Sequence, residues 1–270
     1  MDKTIQPNLT EEKETLFICL RAKALDSRQK KSILHDTKAD EMLKSIDYDF
    51  DKMKDMALFD NDKTNVIRAK HFDDWTKEFI ESDSSAVVVQ LGCGLDTRIT
   101  RINPPASVSW FDVDYPEVIE LRKNFFQENA RYKMIGSSIT NSEWLKKIPA
   151  DHPVIVILEG LLEYLTPNDV EKLFCRLIDY FPHGQIIFNT LSRPLIKLAA
   201  KELKKATGAI QKWGVEDAKD IECFSPKLKK IKELPIIQSV YVKQFILFRI
   251  FYRVIPPNSR RAYQLFRYKF

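Results

Sequence analysis

Short apolar runs alternate with stretches of helical periodicity through the middle of the chain. The apolar runs cover residues 86–91, 108–113, 132–135, 154–158 and 185–189. Segments with helical spacing separate them at residues 115–129, 142–148 and 167–181. The last of these begins with TPND, in which a Thr caps the helix and a Pro occupies its first turn. Strands that alternate with helices predict βαβ units and a largely parallel sheet, so the expected fold class is α/β.

Helical patterns precede this alternation, and a mixed region follows it. Residues 10–60 and 64–81 carry apolar side chains at helical spacing, and the second segment has a broad apolar face. Residues 193–210 also have a helical pattern. Beyond them, residues 228–237 and 262–270 are predicted to form an antiparallel hairpin that closes the sheet.

Composition narrows the class of protein. Hydrophobic residues make up 44% of the chain and charged residues 30%, as is ordinary for a globular domain. No apolar run approaches the roughly 18 residues of a membrane span, and the acidic, polar start does not resemble a secretory signal. The four cysteines lie far apart without a CxxC pair, which argues against a disulfide framework or a metal site. We therefore expect a cytoplasmic protein.

The end of the chain has a large excess of positive charge. From Pro226 to Phe270 there are eleven Lys or Arg residues against one acid, Glu233. Such a segment suits an acidic carrier protein, an anionic membrane or nucleic acid, or it is a solvated face around buried aromatic residues. The aromatic residues alternate with aliphatic ones and show no RNA-binding signature, so nucleic acid is the least expected partner.

Two of only seven glycines follow the first predicted strand, in the sequence QLGCGLDTR. Gly92 and Gly94 permit a tight turn and the close approach of a ligand to the backbone. A dinucleotide-binding turn has a third glycine where this chain has Thr97, and the Gly-Lys-Ser/Thr of a phosphate-binding loop is absent. The turn therefore favours a nucleoside ligand without a pyrophosphate, such as S-adenosylmethionine.

Acidic residues follow two further predicted strands. Asp112 and Asp114 end the second strand, about 20 residues after the glycines, where an acid accepts the ribose hydroxyls of a nucleoside. Glu159 follows the apolar run VIVIL and precedes Gly160. Because the carboxyl ends of parallel strands share one edge of the sheet, we expect these acids and the glycine turn to face one site.

The motifs LGCGLDTR, FDVDYPEVI, RYKMIGSSIT and EGLLEYLTPNDV, with the earlier RAKALDSR and ILHDTKADEML, together resemble the leucine carboxyl methyltransferase family. The resemblance is greatest to its bacterial polyketide-type O-methyltransferases and extends from about Leu16 to Phe270. It implies a class I methyltransferase fold: a seven-stranded, mostly parallel, Rossmann-like sheet with an antiparallel last strand, beneath an N-terminal helical lid. We expect one domain over residues 1–270, with the lid in residues 1–82.

The resemblance also assigns roles to individual residues. It places Gly92 and Gly94 at the methionine part of S-adenosylmethionine and Asp114 at the ribose, with Asp112 as the alternative. Arg68 matches the arginine that binds the methionyl carboxylate, a role suited to its planar guanidinium. The remaining assignments are Arg21 as a second contact to that carboxylate, and Glu159 and Gly160 in the same pocket.

The chain departs from the family pattern at two places. An acid that binds the adenine amino group in many relatives is replaced here by the segment that contains Ser138 and Ile139. Ser138 can still accept a hydrogen bond, as a neutral partner. Glu163 stands where relatives have an apolar residue, and we assign it to the substrate side together with Tyr164.

The function predicted from these features is S-adenosylmethionine-dependent O-methylation of a carboxyl or hydroxyl group of a small molecule, either polyketide-like or tethered to a carrier. A carboxylate acceptor needs no base, whereas a hydroxyl acceptor does. No catalytic base is assigned, because the four histidines (His35, His71, His152 and His183) fall where a loop or a helix surface is expected. A nicotinamide-dependent oxidoreductase is disfavoured by Thr97, and a non-catalytic module that docks an acidic partner through the basic tail is the remaining alternative.

Overall fold

A computed structural model of the chain describes residues 4–53, 61–215, 217–244 and 261–270. At its centre is a seven-stranded sheet. The strands in chain order are β1 (Val87–Leu91), β2 (Ser109–Asp114), β3 (Tyr132–Gly136), β4 (Val154–Leu158), β5 (Gly184–Leu191), β6 (Lys229–Pro235) and β7 (Tyr263–Lys269). Their order across the sheet is β3-β2-β1-β4-β5-β7-β6.

The strand pairing confirms the predicted fold. The first five strands are parallel neighbours, and β7 pairs antiparallel with both β5 and β6. The hairpin predicted from the last two patterns is therefore present. From β1 the chain first adds β2 and β3 on one side and then β4 and β5 on the other. Ligands of open α/β sheets bind beyond the strand ends at such a reversal of strand order.

The central strands are apolar because both faces of the sheet are covered. Every residue of β1 and β4 is buried, as expected for parallel strands that lie between two layers of helices. Side chains alternate between two cores: Val88 and Ile155 pack into one, and Val87 and Val156 into the other. The first core includes the N-terminal helices, so these helices cover one face of the sheet.

Eight α-helices lie within the described part of the chain. They are α1 (Leu16–Ser27), α2 (Thr37–Ser45), α3 (Asn61–Ser82), α4 (Arg98–Ile102), α5 (Pro116–Arg122), α6 (Pro167–Tyr180), α7 (Arg193–Thr207) and α8 (Lys219–Glu222). A short 3-10 helix, Glu11–Thr15, leads directly into α1. As its sequence predicted, α6 begins at the Thr166 cap, whose hydroxyl accepts a hydrogen bond from the Asp169 amide.

Three helix predictions were too long. The helix expected over residues 115–129 ends at Arg122, because the Asn124 side chain bonds the carbonyl groups of Glu120 and Leu121. The segment 142–148 holds only a 3-10 turn, since Ile148 precedes a proline and is extended. The helix expected over 193–210 stops at Thr207, where Gly208 adopts a positive φ of 79°.

Parts of two sequence predictions fall outside the described residues: the end of the helical region 10–60, at residues 54–60, and residues 245–260 of the basic tail. No helix among the described ranges is long and apolar enough to cross a membrane.

Candidate active site

The two glycines after β1 shape the turn that begins the site. Gly92 and Gly94 have φ angles of +62° and +49°, a region that other residues adopt only with strain. A Cβ atom on Gly92 would lie 2.8 Å from the Leu161 side chain, and one on Gly94 would lie 3.1 Å from Cβ of Leu16. The backbone of this turn is therefore enclosed from two sides, by the segment after β4 and by α1.

An open cavity of about 920 Å³, including the solvent at its mouth, lies above the turn. Its walls come from the carboxyl ends of β1, β2, β3 and β4 on one side and from the start of the chain on the other. Of the residues predicted from sequence, the wall contains Arg68, Gly92, Gly94, Asp114, Ile139, Glu159, Gly160 and Tyr164. Four others lie outside the wall: Arg21, Asp112, Ser138 and Glu163.

Asp114 lies at the end of β2 and is tied to the glycine turn. Its carboxylate accepts hydrogen bonds from the backbone amides of Gly94 and Tyr115, each at 2.7 Å. Burial raises the pKa of this carboxyl to about 6, against the opposing effect of the two amides. A buried carboxylate beside a glycine turn is a suitable acceptor for a pair of hydroxyl groups.

Asp112, the alternative for the same role, is engaged elsewhere. It is fully buried, and its carboxylate accepts hydrogen bonds from Trp110 Nε1 at 2.9 Å, Tyr132 OH at 2.7 Å and Arg122 Nη2 at 2.6 Å. Arg122 also donates to the carbonyl groups of Gly94 and Asp96. Through Arg122, Asp112 thus stabilises the glycine turn, and it does not line the cavity. This arrangement favours Asp114 over Asp112 as the ligand-binding acid.

Arg68 and Glu159 form an ion pair at the β4 end of the cavity. Arg68 Nε donates to Glu159 at 3.0 Å and Nη1 to the Tyr263 hydroxyl at 2.7 Å. Its Nη2 faces Sγ of Cys19 at 3.2 Å, and a thiol is a weak acceptor. A carboxylate brought into the cavity would be a stronger partner for that nitrogen.

Glu159 is held between two guanidinium groups. Burial by itself would raise its pKa, but Arg98 and Arg68 outweigh burial and lower the pKa to about 2. Arg98 bonds the second carboxylate oxygen and is itself fully buried. Glu159 is therefore an anion at neutral pH, and it fixes the orientation of Arg68.

Sequence reasoning missed a buried ion network behind the glycine turn. Lys23 Nζ lies 2.8 Å from Asp96, and both residues line the cavity. Arg98 and Arg101 donate to the two oxygens of Asp73, in each case at 2.7 Å from Nε.

The sequence does contain a signal for Lys23, because Leu16, Cys19 and Lys23 share one face of α1 at intervals of three and four residues. All three line the cavity.

Two predicted contacts are directed away from the cavity. Arg21 Nη1 donates to both carboxylate oxygens of Asp62, at 2.8 and 2.9 Å. The Ser138 hydroxyl bonds that of Thr140 at 2.8 Å, and its neighbours Ser137 and Ile139 line the cavity instead.

The residues predicted for the substrate side lie beside Arg68. Tyr164 lines the cavity, and burial raises the pKa of its hydroxyl. Glu163 is only 5% exposed, and its Oε2 atom forms no hydrogen bond with the described residues. Burial raises the pKa of Glu163 as well. All four histidines are among the described residues, and none of them lines the cavity.

The strand order, the antiparallel last strand, the glycine turn after β1 and the acid that ends β2 define the class I methyltransferases. A solved protein of Thermobifida fusca, a candidate methyltransferase, has the same fold: it superposes with a TM-score of 0.60 at 13% identity, over 92% of this chain and 93% of its own.

The chain belongs to the leucine carboxyl methyltransferase family, whose model matches residues 17–178. It is 36% identical, over the full length of both chains, to the tetracenomycin polyketide synthesis O-methyltransferase TcmP of Streptomyces glaucescens. It is also 29% identical to the S-adenosyl-L-methionine-dependent methyltransferase dpfgK of Gibberella zeae, over 82% of this chain and 81% of that protein. The protein is thus an S-adenosylmethionine-dependent O-methyltransferase, as the sequence predicted.

Proposed function

We propose that this enzyme methylates a carboxyl or hydroxyl group of a small, polyketide-like molecule. The observation that carries the proposal is a single cavity with Arg68, Lys23 and Glu159 at one end and Asp114 at the other. This distribution matches a ligand with a charged amino-acid end and a ribose. The name of the Streptomyces relative supports a polyketide as the class of acceptor.

In this proposal Arg68 binds the methionyl carboxylate through Nη2, Glu159 faces the ammonium group, and Asp114 accepts the ribose hydroxyls. The backbone at Gly92 and Gly94 allows the ligand to approach closely. When bound there, S-adenosylmethionine would supply a methyl group on a sulfonium for transfer to the acceptor and would leave as S-adenosylhomocysteine. The contribution of the chain is alignment and exclusion of water, which suffice for a carboxylate acceptor.

In this proposal the acceptor lies next to Tyr164, which lines the cavity and directly follows the buried Glu163. A hydroxyl acceptor would have to lose its proton at transfer, and none of the four histidines is in position to take it. A carboxylate arrives ionised, so it requires the fewest additional groups.

The test uses methyl-labelled S-adenosylmethionine and an aromatic acid that carries both a carboxyl and a phenol. The methyl ester of the acid leaves only the phenol open, and its methyl ether leaves only the carboxyl open. Transfer to the ether form, with label that is released by alkali, identifies a carboxyl acceptor. Transfer to the ester form, with alkali-stable label, identifies a hydroxyl acceptor. An absence of transfer across a panel of such acids, with cofactor binding intact, would contradict the proposed acceptor class.

We also propose that the acceptor reaches the enzyme while it is bound to an acidic carrier protein. Pairing of Lys229 with Lys269 and of Lys232 with Arg267 places four basic residues on one face of the β6–β7 edge. The three lysines are exposed. We expect transfer to a carrier-bound acceptor to fall with rising salt and with the double substitution Lys229→Glu/Lys232→Glu, while transfer to the free acid is unchanged.

Two further predictions concern the whole chain. We propose that residues 1–82 act as the lid of one methyltransferase domain that spans residues 1–270. A cytoplasmic location also stays a prediction, supported by the four free cysteines.

A further inference from the structure

The adenine end of the cavity is identified by the order of the strands. Crossing the sheet from β4 through β1 and β2 to β3, the wall presents Glu159, then Gly92, then Asp114, then Ser137. If the amino-acid end of the cofactor lies at Glu159 and the ribose at Asp114, as proposed above, then the adenine lies beyond Asp114. Its surroundings are therefore the end of β3, Tyr115 and the segment of the lid that covers them.

The six residues that directly follow β3, 137–142, include no acid. The Ser138 hydroxyl is bonded to Thr140 and the Ser137 hydroxyl to the Ser138 carbonyl, at 2.8 and 3.1 Å. Each of these hydroxyl oxygens can still accept a hydrogen bond, but only as a neutral partner. A carboxylate from elsewhere in the chain would be a stronger acceptor for an adenine amino group at this position.

The start of the chain supplies an acid at this end. The 3-10 helix Glu11–Thr15 lies over β2 and α5: Tyr115 OH is 3.3 Å from a Glu12 oxygen, and Lys13 Nζ is 2.5 Å from Glu117. Farther along, Cys19 of α1 contacts Arg68 at the opposite end of the cavity. The lid therefore runs along the length of the cavity, and Glu12 stands at the adenine end.

Glu12 differs from the other acids in the cavity wall. Asp96 and Glu159 are neutralised by buried cations, and Asp114 is bound to two backbone amides. Among the described residues, the Glu12 carboxylate accepts one hydrogen bond, from Tyr115 OH, and Lys13 beside it pairs with Glu117. Glu12 is half-buried and lines the cavity. It retains the capacity to accept further hydrogen bonds.

We propose that Glu12 accepts a hydrogen bond from the 6-amino group of the cofactor's adenine, so that a residue of the lid recognises the base. The inference rests on the cofactor orientation given under the proposed function. A carboxylate is an acceptor only, so it binds an amino group but repels the carbonyl oxygen of hypoxanthine. Closure of the lid is thereby coupled to the presence of the correct base.

The test compares the affinities of S-adenosylhomocysteine and S-inosylhomocysteine by calorimetry. The wild-type protein is expected to bind the adenine ligand with at least about tenfold higher affinity than the hypoxanthine ligand. This ratio corresponds to the free energy of one hydrogen bond to a charged group. In Glu12→Gln the amide both donates and accepts, so the ratio of the two affinities should fall close to one. Glu11→Gln, the adjacent and exposed position, is the matched control and should keep the wild-type ratio.

Two results would overturn the proposal, and they are distinguishable. If Glu12→Gln keeps the wild-type ratio while both ligands bind, the base is read by another group and only this inference fails. If the wild-type protein binds neither ligand, the proposed cofactor placement fails with it. Equal thermal unfolding of the three proteins shows that the ratio does not report a loss of fold.

Discussion

Asp112 and Asp114 are two residues apart on β2 and face the same side of the sheet, yet their environments differ. Asp112 lies inside the strand, where Arg122 and Tyr132 surround it, and Asp114 lies at the strand end beside the glycine turn. The sequence predicted both as alternatives for the ribose. It could not separate them, because the partners of Asp112 come from α5 and β3, whose packing is not visible in a local pattern.

Substitution of the two aspartates by asparagine should therefore have opposite consequences. Asp112→Asn leaves the buried Arg122 without its anionic partner and should lower the free energy of unfolding by about 3–5 kcal/mol. Asp114→Asn should change stability much less and weaken S-adenosylhomocysteine binding by about tenfold or more. Urea unfolding and calorimetry measure the two effects. Equal loss of stability in both variants would contradict the separation of roles.

The pKa of Asp114 predicts how cofactor binding depends on pH. Burial raises this pKa to about 6, so the free protein carries the ionised carboxylate above pH 6 and the neutral acid below it. The ionised form is the better acceptor for ribose hydroxyls. The dissociation constant of S-adenosylhomocysteine should therefore increase between pH 7 and pH 5, by up to about tenfold per pH unit below the pKa. In Asp114→Asn the same interval should be nearly flat, and an equally steep profile there would refute the assignment.

At the scale of elements, the sequence predicted the strands well and the helix ends poorly. The five parallel strands are visible in the sequence because strands that are buried on both faces consist of continuous apolar runs. Helix ends depend instead on individual contacts, such as the hydrogen bond from the Asn124 side chain to the Glu120 carbonyl. The position of α1 over the cavity was implied only by the family resemblance. Helical periodicity shows that α1 has an inner face, and it does not show what that face meets.

The ion pair that joins the lid to α5 should affect how long the cofactor stays bound. Lys13 and Glu117 are partly exposed, so the pair is worth about 0.2–1 kcal/mol. Lys13→Ala should increase the dissociation rate of S-adenosylhomocysteine up to about fivefold at low salt, and less at high salt. Lys38→Ala, which removes a comparable exposed pair with Glu41 on α2, is the control. Stopped-flow displacement measures the rate, and an identical effect of both substitutions would argue against the lid contact.

In the whole molecule, the cavity connects elements that are far apart in the chain. Arg68 of α3 meets Glu159 after β4 and Tyr263 of β7, while Lys23 of α1 meets Asp96 after β1. The fold class and the cofactor could be predicted from the sequence. The alternation of strands and helices and the glycine turn are local patterns, and the seven-stranded topology is shared by the family that the motifs resemble. The buried network could not be predicted, since its partners are assembled only by tertiary packing.

Cofactor binding should accordingly stabilise the entire chain. At a concentration 100 times its dissociation constant, S-adenosylhomocysteine should add about 2.7 kcal/mol to the free energy of unfolding. For a protein of this size that corresponds to a rise in Tm of about 5 °C or more. NAD should produce no shift, because the chain has Thr97 in place of the third glycine of a dinucleotide-binding turn. Scanning calorimetry with each ligand provides the comparison, and a shift with NAD would contradict the cofactor specificity.

A crystal structure of the protein with S-adenosylhomocysteine would test the placement of the cofactor most directly. We expect the methionyl carboxylate within hydrogen-bond distance of Arg68, the ribose hydroxyls on Asp114 and the adenine between Tyr115 and the end of β3. A ligand bound in the reverse orientation, or outside the cavity above Gly92 and Gly94, would contradict this placement.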